Sequence, residues 1–163
     1  MKVRDIMTTD VVSAKRGTPV NELAKLMGAR DISGVPVLDD AGAVVGVVTE
    51  LDMIVRNTRL DMPRFIQILD LGRIPLERRS DYEHRMRHML GARAEDLMSE
   101  DVVTIGPDDS VEDLAELMVK RRVNPVPVVE NGKLIGIVSR ADIIDMMAAE
   151  MEEPTSTGRP ETM

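Results

Sequence analysis

The 163-residue sequence contains no cysteine and no tryptophan, and only one phenylalanine and one tyrosine. Without cysteine there are neither disulfides nor thiolate chemistry, and the composition fits a reducing compartment. Without aromatics, a core has to be assembled from Val, Ile, Leu and the thirteen Met, the last flexible enough to fill irregular gaps. Long apolar runs are missing as well. Nothing approaches the roughly 18 residues of a membrane span, and Met1-Lys2-Val3-Arg4-Asp5 has no apolar signal core. The net charge of −8 argues against a general binder of nucleic acid or membrane surfaces, since either would attract a basic face. The expectation is a soluble, cytoplasmic chain. Catalytic signatures are also wanting: no Cys nucleophile, no P-loop, no three-ligand metal set and no length left over for a catalytic domain, so an enzyme is not expected. The apolar fraction of 43% does support a packed interior, as one domain or as two half-sized units sharing a core.

What is present is an internal repeat. Laying residues 3–40 over 94–131 gives fourteen identities in thirty-eight positions, among them Asp5/Asp96, Met7/Met98, Leu23/Leu114, Met27/Met118 and Val35-Pro36-Val37/Val126-Pro127-Val128. Chance pairing gives about two or three, so the chain is a duplication. Residues 42–54 continue the match on 132–144 with the offset one shorter, and the lost residue falls in a turn, Asp39-Asp40-Ala41-Gly42 against Glu130-Asn131-Gly132.

Each copy alternates between two periodicities. Val11-Val12 and Val102-Val103 predict a short strand. Val20, Leu23, Ala24, Leu26 and Met27, like Val111, Leu114, Ala115, Leu117 and Met118, recur at helical spacing behind the N-cap signals Thr18-Pro19 and Ser110. Val35–Leu38 with Val44–Val48, and Val126–Val129 with Leu134–Val138, predict buried hairpins, and a second helix follows Thr49 and Ser139. The fold expected is mixed α+β (α/β): a pseudo-twofold tandem of two β-α-β-β-α repeats, each too small to bury both sheet faces alone.

Between the copies, residues 55–93 hold nine Arg against five acids, both aromatics and both histidines. Ser80-Asp81-Tyr82-Glu83 is a capping box, Gly91 suits a C-cap, and Tyr82, Met86, Met89 and Leu90 form one stripe. An inserted helix docking by that stripe is expected, with His84 and His88 on a solvated face and the arginines either offered to a protein partner or solvated on a helical brace over one edge of the module. The organisation is thus a first repeat over 1–54, a helical Arg-rich insertion over 55–93, a second repeat over 94–151 and a disordered tail over 152–163.

Three elements recur in register: Asp-x-Met near the start of each copy, the Val-Pro-Val strand, and Gly46-Val47-Val48-Thr49-Glu50-Leu51-Asp52 with Gly136-Ile137-Val138-Ser139-Arg140-Ala141-Asp142. Together they resemble tandem cystathionine-β-synthase (CBS) domains, the Bateman module, over about 1–54 and 94–148. The resemblance implies two clefts between the copies that bind AMP, ADP, ATP, S-adenosylmethionine or a related ligand. It places Thr49 and Asp52 in one cleft, completed by Val103, Val123 and Asn124, and Ser139 and Asp142 in the other, completed by Val12, Ile32 and Ser33. It also implies disc-like homodimers. No cofactor is required in this reading; the adenine nucleotide is a regulatory ligand.

The residues support this independently. An Asp carboxylate accepts hydrogen bonds from both hydroxyls of a ribose, and a Thr or Ser hydroxyl with free N–H groups at a helix start favours a phosphate. Thr49-x-x-Asp52 and Ser139-x-x-Asp142 are equally ordinary capping boxes, and the two roles are compatible. Arg30 and Arg121 complement helix dipoles, whereas Arg122 and Arg140 suit either a dipole or a phosphate. A ligand-sensing module that signals to a partner is therefore expected. A structural homodimer with vestigial clefts is the alternative.

Overall fold

A computed structural model describes residues 1–59 and 92–152. The first copy runs α1 (Val3–Ile6), β1 (Ala14–Lys15), α2 (Val20–Arg30), β2 (Gly34–Leu38), β3 (Val44–Thr49) and α3 (Glu50–Arg59). The second runs α4 (Ala94–Leu97), α5 (Val111–Arg121), β4 (Val126–Glu130), β5 (Lys133–Val138) and α6 (Arg140–Glu152). This is the expected mixed α+β tandem.

The hairpins form where the apolar runs and glycine turns place them. Val35 pairs with Val48 and Val37 with Gly46, and in the second copy Val126 pairs with Val138 and Val128 with Gly136. The longer first turn is held by Asp39 Oδ1, which accepts from the N–H groups of Ala41 and Ala43, both at 2.9 Å. The shorter second turn instead sets Asn131 and Gly132 at φ of 51° and 76°, as a two-residue hairpin loop requires. α3 and α6 begin directly after Thr49 and Ser139.

Three expectations need correction. The first strand is not at Val11-Val12 but at Ala14–Lys15, parallel to Val37–Leu38, and the second copy keeps only a single parallel bridge, Ile105 with Val128. The valines are apolar for another reason, described below. In α2, Leu23 and Met27 are buried but Ala24 and Leu26 are exposed, so the buried stripe is narrower than the apolar spacing. Ser110 does cap α5, accepting from Asp113 N–H at 3.0 Å, whereas Thr18 spends its hydroxyl on Lys15 N–H and Pro19 stands at the cap of α2. The inserted helix, with its Tyr82 stripe, His84, His88 and Gly91 cap, and the tail beyond Glu152 lie outside the described residues; Glu152 itself closes α6.

Two apolar clusters form the interior, one around Leu23, Met27, Val35, Val37 and Val48, the other around Leu114, Met118, Val126, Val128 and Val138. Each is completed by the leading segment of the other copy. Val3 of α1 is fully buried in the second cluster, with Ile6 and Met7 against it, and Ala94 and Met98 enter the first. The backbone makes the same exchange: Thr8 pairs with Ile137, Ser99 with Val47, and Ala94 N–H donates to Thr18 O at 2.8 Å. This explains why Asp-x-Met and the glycine motif travel together. A Cβ on Gly46 would stand 2.5 Å from Met98 Sδ, and one on Gly136 the same distance from Met7 Sδ. The Asp of each Asp-x-Met caps the start of its short helix, Asp5 accepting from Lys2 N–H and Asp96 from Arg93 N–H, each at 2.8 Å.

Candidate functional site

Both Thr/Ser-x-x-Asp elements fold as caps. Asp52 Oδ2 accepts from Thr49 N–H and from Thr49 Oγ1, both at 2.8 Å, while Asp52 N–H donates back to Thr49 Oγ1 at 3.2 Å. Asp142 Oδ2 accepts from Ser139 N–H at 2.6 Å and from Ser139 Oγ at 2.8 Å. Each half-buried carboxylate thus commits one oxygen to holding its helix start, and Oδ1 of each makes no hydrogen bond among the described residues. A rigidly held carboxylate with a spare oxygen is a preorganised acceptor.

Each Asp lies at the wall of a cleft between the copies. The first, of about 510 Å³, is lined by Thr49 and Asp52 from one copy and by Val103, Val123 and Asn124 from the other. The second, of about 600 Å³, is lined by Ser139 and Asp142 opposite Val12, Ile32 and Ser33. This is where the displaced valines go: Val12 and Val103 are half-buried cleft walls and pair with no strand. Arg122 and Arg140 both line the first cleft. Arg140 lines the first cleft although it directly follows Ser139, which lines the second.

Ser99, Asp101 and Arg121 also line the first cleft, and Thr8, Asp10 and Arg30 the second, although in one dimension the two arginines stand out only as helix ends and the other four not at all. The repeat offset carried the signal, since Asp101 aligns with Asp10 and Arg121 with Arg30. Ser33 and Asn124, equivalent positions of the two copies, line both clefts and meet between them: Asn124 Nδ2 donates to Ser33 Oγ at 3.2 Å. Asn124 Oδ1 simultaneously accepts from Arg140 N–H at 2.9 Å, whereas the matching N–H of Glu50 donates to the backbone carbonyl of Ser33 at 3.0 Å.

The model of the CBS domain matches this sequence at residues 3–56 and again at 94–149. The chain belongs to the CBS-domain family. A relative of nearly the same extent is the uncharacterized protein MJ1426 of Methanocaldococcus jannaschii, 29% identical over 154 residues that cover 90% of this chain and 91% of that one. Among solved structures, CBSX2 of Arabidopsis thaliana, crystallised with AMP, superposes with a TM-score of 0.68 at 24% identity, covering 92% of this chain and 98% of its own. The CBS domain pair of protein MJ0100, crystallised with 5′-methylthioadenosine and S-adenosyl-L-methionine, gives a TM-score of 0.66 at 22% identity, with 92% and 98% covered. These likenesses establish the CBS-pair fold. Among the described residues, no helix is long and apolar enough to cross a membrane, and no three His, Asp or Glu side chains converge as a metal site would require.

Proposed function

We propose that this CBS pair is a cytoplasmic regulatory module that binds an adenine-type ligand, an adenosine phosphate or an S-adenosylmethionine-like compound, in its two inter-repeat clefts. The observation that carries the reading is the composition of each cleft: a carboxylate anchored by its own Thr or Ser from one copy, opposite aliphatic walls from the other. Asp52 and Asp142 bond the ribose hydroxyls through their spare oxygens. Val103 with Val123, and Val12 with Ile32, sandwich the adenine, because no aromatic is available in either repeat to stack on it. The ligands seen in CBSX2 and in MJ0100 support the same class. Occupancy bridges the copies and shifts their packing, and a protein partner senses that shift. Homodimerisation belongs to this reading, supported by apolar side chains that α3 and α6 leave in solvent: Leu51, Ile54, Ile144 and Met147 are each at least half exposed.

Isothermal titration and thermal shift with AMP, ADP, ATP and S-adenosylmethionine test it. At least one compound raises the melting temperature, because it binds only the folded state. Asp52→Asn and Asp142→Asn, which keep a capping oxygen, lower affinity at their own clefts by roughly ten- to a hundredfold, the worth of a charge-assisted hydrogen bond. Unchanged affinity in both variants, or no binding by any of the four, overturns it.

A further inference from the structure

The two clefts are built from equivalent positions of the two copies but differ in charge. The difference is concentrated at one backbone position. α2 and α5 both end in a residue of left-handed conformation whose N–H caps the helix: Asp31 at φ 52°, ψ 47°, and Arg122 at φ 53°, ψ 42°. The backbones coincide, the repeat offset makes the positions equivalent, and each residue lines its own cleft, so an arginine lines one cleft where an aspartate lines the other.

The surroundings widen the contrast. In the first cleft Asp101 is answered by Arg121 at 3.6 Å, and Arg122 and Arg140 make no ion pair with any described residue. In the second, the equivalent pair, Asp10 and Arg30, forms no ion pair, and Arg30 is the sole basic residue of a wall that also carries Asp10, Asp31 and Asp142. The first cleft therefore balances three arginines against Glu50, Asp52 and Asp101, with two guanidiniums uncommitted, and the second carries an excess of two negative charges. Charges lining one cleft act within about one Debye length of each other, so salt does not erase the difference. Planar guanidiniums on a cleft wall suit the oxygens of a phosphate, and a net-negative cleft repels them.

We propose that the clefts divide adenosine ligands by charge: the Arg122 cleft takes an adenosine 5′-phosphate, and the Asp31 cleft takes an uncharged or cationic adenosine, such as a 5′-thioether or a sulfonium. This rests on the reading that the clefts bind adenosine compounds at all. The test titrates AMP and 5′-methylthioadenosine into the full chain and three variants, Arg122→Asp, Arg140→Ala and Asp31→Arg, with melting curves to confirm that each folds. In the unaltered protein AMP fills one site, and saturating AMP leaves a second site open to 5′-methylthioadenosine. Arg122→Asp and Arg140→Ala each lower the ratio of AMP to 5′-methylthioadenosine affinity by about tenfold or more. Asp31→Arg creates a second AMP site. Two equivalent AMP sites in the unaltered protein, or an affinity ratio untouched by the arginine substitutions, overturns the division while leaving adenosine binding intact. If neither compound binds, the division is overturned, and titration with ADP, ATP and S-adenosylmethionine decides whether the underlying reading falls with it.

Discussion

Asp52 and Asp142 do with one oxygen what a capping residue must and leave the other without a hydrogen bond among the described residues. Capping and the proposed ribose contact separate by substitution. Asp52→Ala removes the acceptor for both Thr49 N–H and Thr49 Oγ1, so without ligand it costs about 1 kcal/mol of folding free energy, and Asp52→Asn, retaining an acceptor oxygen, costs less. Urea denaturation of the two variants measures this, and equal stability would show that the cap contributes nothing. The capping duty was legible in the spacing, because Thr-x-x-Asp ahead of an apolar run is a common cap signature. Recognising a cleft at the same place needed the second copy in register. Arg122 was legible both as a basic residue closing a helix and as a phosphate partner; that the helix end walls a cavity is a fact of three-dimensional packing.

At the scale of elements, the glycines decide how closely segments approach. A Cβ on Gly34 would stand 2.5 Å from Pro125 Cδ and 3.3 Å from Val48 O, against a rigid ring and backbone, whereas the obstacle at Gly46 is the flexible Met98 side chain. Gly34→Ala therefore destabilises toward the upper end of the about 1–3 kcal/mol typical of overpacking and Gly46→Ala toward the lower end. Chemical denaturation ranks them, and the reverse order would contradict the packing described. The longer elements were readable because period and punctuation agreed: alternating or continuous valines, a glycine turn, and helical spacing behind a cap. β1 was misplaced because Val12 and Val103 are apolar for the sake of a cleft, a signal that looks like a strand in one dimension. α1 and α4, four residues each, are too short for periodicity to reveal. Nothing local in a sequence states that a segment packs on the other copy.

For the whole molecule, that exchange ties the repeats into one unit. The leading arm is pinned at its outer edge by Asp108, which meets Lys2 Nζ at 2.8 Å and Arg4 Nη2 at 2.7 Å. The hydrogen bond from Lys2, with the charge of Arg4 beside it, holds the Asp108 carboxyl below its ordinary value of 3.8, although partial desolvation pulls the other way. A depressed carboxylate stabilises the fold above its unfolded pKa and loses that contribution as pH falls through the folded value. The stability difference between the unaltered protein and Asp108→Asn, small because the group is exposed, is accordingly constant near neutrality and closes below about pH 4. Denaturation curves at pH 7 and pH 3 check it; a gap that persists in acid would mean that the Asn variant fails for reasons other than charge. The hydrogen bond between Ser33 and Asn124 acts across the centre of this unit. Both residues wall both clefts, and Asn124 also holds the first N–H of α6, so a ligand that displaces this amide in one cleft changes the wall of the other. The clefts are then thermodynamically linked, and linkage is reciprocal: whatever factor a phosphate-bearing ligand imposes on the affinity for its neutral counterpart, the counterpart returns in full. Under the proposed division of ligands, the occupancy of each cleft would depend on the concentrations of both compounds.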